Sequence, residues 1–147
     1  MVAAIQVLVT VAVLSFAVVA VAADLNRTHA TNPRWMGHAR FHVVWQAATH
    51  VGVGVLALVL MWAPLGPRGF RVGVAAVIAA AVLAGFFVAM ATMRSYGGQL
   101  ADPNGYRPLP ISIAGRRKVI DKNVALFVGA ALMLSAAVVL IVINGGV

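Results

Sequence analysis

Four stretches of this chain contain no Asp, Glu, Lys or Arg: Met1–Ala23, Phe41–Pro67, Val72–Met93 and Asn123–Val147. Each is at least 22 residues long, and a helix needs about 20 residues to cross the hydrocarbon of a bilayer. With 63% hydrophobic and only 10% charged residues in 147, and a mean hydropathy of +0.99, a soluble domain could not cover the apolar side chains with polar surface. The expected fold class is therefore all-α: an integral membrane four-helix bundle, antiparallel and up-down, forming one domain over residues 1–147. Its helices are expected at about 2–23, 33–63, 71–93 and 117–144, joined by polar loops at 24–40 and 94–122.

The first stretch also has features of a secretory signal, because small residues in "VAVAAD" precede Asp24. No Lys or Arg comes before the apolar run, however, and the run exceeds the usual signal core, so a retained helix is expected. The absence of cysteine removes disulfides, thiolate ligands, iron–sulfur clusters and cysteine nucleophiles. A net charge of +8 suggests nucleic acid in a soluble protein. In a membrane chain it reads as topology and attraction to anionic headgroups, and no nucleic-acid partner is expected.

The basic residues are unevenly divided. Arg27, Arg34, Arg40, Arg94, Arg107, Arg116, Arg117, Lys118 and Lys122 fall in the first and third loops, whereas Arg68 and Arg71 alone fall on the opposite side. The positive-inside rule then places the first and third loops in the cytoplasm, and both termini outside a cell membrane. "APLGPRGF" reads as a tight turn between the second and third helices. In the third loop "GG", "DPNG" and "RPLP" mark several turns, with no long helix until about Gly115. Ordered loops of that length tend to be lids or binding loops. "RRK" at Arg116–Lys118 reads as a juxtamembrane headgroup anchor. The Ala- and Gly-rich third helix suits close helix approach in lipid.

Polar groups concentrate around "GHARFHVVWQAATH". Thr31 or Asn32 can cap a helix with Pro33 in its first turn, so the second helix is expected to begin near Pro33. On it His38, His42, Gln46 and His50 follow at i, i+4 and share one face. Trp35 and Trp45 flank the histidines. His50 lies about 12 Å deeper than His42 at 1.5 Å per residue, a costly depth for an ionisable group unless it faces the bundle interior or a wet cavity. Gln6, Thr10, Ser15 and Ser135 are candidate partners at that depth. Asp24, Thr92, Arg94, Tyr96, Asp121 and Asn123 are expected at the same membrane face.

Three readings of this constellation stay open. In the first, His38 and His42 are joined by His29, with Asp24, in a nitrogen and oxygen shell for a divalent metal, Zn, Fe or Cu. In the second, histidine and a carboxylate perform acid–base chemistry without metal, with Trp35, Phe41, Trp45, Tyr96 and Tyr106 stabilising a cationic intermediate. The third is plain anchoring, since Trp, Tyr, Arg and His gather at membrane interfaces; it does not require i, i+4 spacing or explain the depth of His50. No phosphate loop, Ser/His/Asp set or HExxH motif occurs.

The segments Thr28-His29, Asn32-Pro33-Arg34-Trp35 and His38-Ala39-Arg40-Phe41-His42 resemble the "TH…NPxW…HARFH" loop of a set of small uncharacterised four-helix membrane proteins. That resemblance implies a fold and no activity. The expected architecture is also similar to the sterol-isomerase and sigma-2-receptor superfamily, which implies a compact bundle holding a lipophilic ligand near acidic residues. Here no acidic residue lies within an expected span; Asp24 and Asp121 stand at the ends.

Together these observations favour a membrane protein that binds a lipophilic small molecule and performs isomerisation- or cyclisation-type chemistry. Catalytic candidates are His38, His42, Asp24 and His29. Substrate-binding candidates are Trp35, Trp45, Gln46, His50, Tyr96, Arg40 and Arg94. Metal candidates are His38, His42 and His29. Membrane lipid is an expected partner, and a homodimer or larger membrane complex is compatible with so few helices. The alternatives are a non-catalytic accessory subunit of such a complex and a small proton or metal-ion pathway.

Overall fold

A computed structural model describes residues 1–146. Four helices are long and apolar enough to cross a membrane: α1 (Val2–Asp24), α2 (Gly37–Trp62), α3 (Arg68–Tyr96) and α4 (Lys122–Ile143). Their runs of Ala, Val and Leu leave the backbone to satisfy its own hydrogen bonds, which in hydrocarbon only a helix does within one segment. Side chains from all four meet in one core, with Ile5, Val9, Val13 and Phe16 of α1 at its centre. Met61 of α2, Val72 and Ala79 of α3, and Phe127 and Ala137 of α4 close around them.

The fold is not purely helical. Leu109–Ile113 (β1) and Arg116–Ile120 (β2) pair as an antiparallel hairpin, with Leu109 opposite Ile120 and Ile113 opposite Arg116. Its two-residue turn has positive φ at both Ala114 (49°) and Gly115 (74°). That backbone matches the twist of paired strands. The segment read as open loop and helix start is thus extended, because β-branched Ile111, Val119 and Ile120 favour a pleated ladder. The fourth helix accordingly begins at Lys122 rather than near 117. Asp121 caps it, its Oδ1 accepting from the amides of Asn123 (2.9 Å) and Val124 (3.1 Å).

Two other boundaries move. The third helix runs from Arg68 to Tyr96, longer at both ends than 71–93, and ends on left-handed Gly97. The second begins at Gly37, not near Pro33, with Met36 at its N-cap making no side-chain bond. Asn32 spends its side chain elsewhere: Oδ1 accepts from the Arg34 amide (3.0 Å), and Nδ2 reaches the Asn104 carbonyl (3.1 Å) in the other polar loop.

Helix α1 contains a π-helical stretch, Ser15–Ala20. The Ser15 hydroxyl donates to the Ala12 carbonyl at 2.7 Å. Opposite this stretch Gly54 lets α2 approach closely, since a Cβ there would collide with Ala17. The same stretch presents Phe16 edge-on to His50, with ring centroids 5.7 Å apart.

The far end of α2 is tied down by polar groups that sequence reasoning assigned elsewhere. Arg71 is buried, and its guanidinium donates to the carbonyls of Leu60 (2.8 Å), Ala63 and Gly66 (3.3 Å). The last carbonyls of a helix lack partners of their own, and a cation there also suits the helix dipole. Gln6 donates to the Met61 carbonyl (3.0 Å) and Trp62 to the Thr10 hydroxyl (3.0 Å). Gln6, Thr10 and Ser15 therefore serve α2's end or their own helix instead of His50, and Ser135 is exposed.

Candidate functional site

The candidate residues divide into two groups, one on the face of α2 and one where the two polar loops meet. On α2, regular helical geometry brings His38 and His42 into contact, with Nε2 to Nε2 at 3.1 Å and the rings edge to face. At that distance one ring donates a proton that the other accepts. Both histidines are exposed. His42 also lies against Phe41 and Trp45, with centroids 5.7 Å away in each case.

Deeper on the same helix, His42, Trp45, Gln46, Thr49 and His50 line a cleft of about 340 Å³. A second cleft of about 360 Å³ runs between α2, α3 and α4. Gln46 and His50 supply its polar end. Its remaining walls are small or apolar: Ala81, Val82, Gly85 and Ala89 with Phe86 and Phe127. The last two rings stack at 4.3 Å. Because Gln46 and His50 line both, the clefts adjoin. His50 is half-buried, and its Nδ1 is buried with no hydrogen-bond partner.

The second group builds a cap from the loops 25–36 and 97–121. Trp35 donates its indole N–H to Asp102 Oδ2 at 2.5 Å, and Arg34 Nη1 donates to Asn104 Oδ1 at 2.5 Å. Gly105 sits so close to the Thr28 carbonyl that no Cβ would fit. The sequence "DPNG" is indeed a turn, with the Asn104 amide donating to Asp102 Oδ1 at 2.7 Å. Inside the cap the His29 ring lies edge-on to Trp35 (5.1 Å) and tilted on Tyr106 (5.6 Å). The Thr28 hydroxyl is 2.7 Å from His29 Nδ1, and Asp24 is 4.0 Å away.

Electrostatics distinguish Asp102 of this cap from its phenol. The Asn104 amide and then the Trp35 indole hold the Asp102 carboxyl below the usual aspartate range. Burial, followed by the negative charge of Asp121, pushes the Tyr106 phenol up. Lys122 Nζ lies 4.6 Å from the centre of that ring, close enough for cation–π attraction. The Tyr106 hydroxyl is buried without a partner.

This arrangement separates residues that were expected together. His29 and Asp24 belong to the cap, whereas His38 and His42 form their own exposed pair. Among the described residues no three His, Cys, Asp or Glu side chains gather in a way that could hold a metal ion, so the set His38, His42 and His29 is not assembled. Tyr96 turns back to donate to its own helix at Ala89 (2.7 Å). Arg94 is exposed, and the Arg40 Nε is buried without a partner. Among the described residues none of the three makes a hydrogen bond or ring contact with the histidines. Sequence reasoning missed Asp102 and Asn104 as the acceptors that lock the loops. Their only signal was a turn motif opposite a loop rich in side-chain donors. Comparison of the chain with family models, with curated proteins and with solved structures finds no match in any of the three.

Proposed function

We propose that this protein is an antiparallel bundle of four transmembrane helices that binds a lipophilic small molecule in the adjoining clefts beside α2. The observation that carries the reading is the position of Gln46 and His50, shared between a cleft walled by His42 and Trp45 and a cleft walled by Phe86 and Phe127. The two volumes lie within the range of small-molecule sites, about 300–1,000 Å³. An apolar body would occupy the interhelical part. One hydrogen-bonding head would meet Gln46 and the His50 ring.

The chemistry such a site supports is acid–base transfer of the isomerisation or cyclisation type. His38 and His42 share a proton at the aqueous end, and His42 also borders the cleft, so the pair can exchange protons between water and a bound molecule. The cap over α1 and α2, held by Trp35, Asp102, Arg34 and Asn104, would sit at the cytoplasmic face, as the distribution of Arg and Lys suggests.

The test is extraction of the protein in native lipid discs, followed by identification of co-purifying small molecules by mass spectrometry. His38→Ala and His42→Ala should keep the bound molecule but convert a substrate–product mixture into substrate alone. A mixture unchanged by either variant would remove the acid–base role. A second reading has its own support: Phe41, Trp45 and Val44 are exposed on α2 around a shallow apolar hollow, as the contact face of an accessory subunit would be. Fixed stoichiometric partners in mild detergent would favour it.

A further inference from the structure

The β1–β2 hairpin leaves aliphatic and basic side chains exposed on both of its faces, and that chemistry points to a partner. Residues paired across antiparallel strands project to the same side, so Pro110 and Val119 share one face. That face borders a cleft of about 480 Å³ against Pro103, Tyr106 and Pro108, yet it stays open, with Val119 exposed at 67% of its full area. The pairs Leu109–Ile120 and Ile111–Lys118 project to the other side, together with Arg116. Leu109 and Ile120 are exposed, at 52% and 39% of their full area, although they are large and aliphatic. Arg116 and Lys118 are exposed beside them, Arg117 is exposed on the same side as Val119 near the turn, and no acidic residue lies between 109 and 120.

From these exposed aliphatic and cationic side chains, with no acidic residue among them, we infer that the hairpin docks on the anionic headgroup layer of the membrane that the helices cross. The inference rests on that membrane-spanning reading but not on any ligand beside α2. Aliphatic and cationic side chains on one surface match the headgroup boundary, where the former enter the acyl edge and the stems of Lys and Arg lie along it. β2 runs through Asp121 directly into α4, so the root of the hairpin is held where that helix meets the headgroups. The strands extend about 16 Å from that root, and lipid is their permanent neighbour. A second copy of the hairpin would bring like charges together, which argues for phosphate as the counter-charge.

The chain has no cysteine, so Ile111→Cys provides a unique attachment point for a polarity-sensitive fluorophore. The labelled protein would be placed in discs of phosphatidylcholine alone, or with about 30% phosphatidylserine to supply negative surface potential. Docking predicts blue-shifted emission only in the anionic discs, reversed by about 0.5 M salt, at which such charges are strongly screened. Neutralising Arg116, Arg117 and Lys118 to Gln should weaken the docked state roughly a hundredfold, at about fivefold per charge. Emission identical in the two lipids would overturn the inference using a chain with all its charges intact. A serine-lipid shift that survives both salt and neutralisation would also overturn it. Failure of either kind leaves the ligand reading untouched.

Discussion

At the scale of single residues, the same chemical group has different work in different surroundings. Asp121 ends a loop and starts a helix, whereas Asp102 joins two loops through the Trp35 indole. Because the folded pKa of Asp102 is depressed, its contribution is present above the ordinary aspartate range and is lost only as pH falls through the lowered value. The Trp35 indole N–H resonance should therefore hold constant as pH falls toward about 3.9, the ordinary aspartate value, and move only below it. Asp102→Asn should abolish that titration. Movement centred at or above the ordinary value would contradict the assigned bond. Asn32 acts in the same way without a charge: it is fully buried and bonded to both loops, so it holds the cap at any pH.

At the scale of elements, helix existence was legible in the sequence while helix ends were not. The charge-free stretches located all four helices because hydrocarbon length and backbone satisfaction leave little choice. Pro33 misled because the cap signal in "TNP" competes with a turn, and the side chain of Asn32 decided the contest from Asn104, 72 positions away. The hairpin was missed because its turn is Ala-Gly rather than Asn-Gly, and its strands are five residues each. The i, i+4 histidine contact was legible, being a property of one helix. The separation of His29 from it was not, because the path of the loop sets it. One packing feature had no sequence signature: Gly54 lies against the π-helical stretch of α1. Gly54→Val should therefore destabilise the protein by about 1–3 kcal/mol through overpacking, read as a lower unfolding temperature in detergent. At Gly52, where nothing lies near, Gly52→Ala should have little effect. Equal losses at both positions would show that the close approach is unimportant.

At the scale of the whole molecule, polarity is distributed unevenly along the helices. One end is closed by Arg71, Gln6 and Thr10, each matched to a backbone or side-chain partner in the described residues. The other end is capped by interlocked loops, and between them His50 and Gln46 line the clefts beside α2. Burial of the unpartnered His50 Nδ1 is costly. This division accounts for why α1 is the most enclosed helix and α2 the least: α1 forms the core, while α2 presents its polar face to the clefts.

The central claim is that Gln46 and His50 hold a lipophilic molecule, and native mass spectrometry of protein released from lipid discs tests it most directly. The account predicts a discrete adduct on the unmodified chain that is absent from the Gln46→Ala/His50→Ala variant, with the variant retaining its helical content. An adduct equally abundant on both, or its absence from both, would contradict the claim.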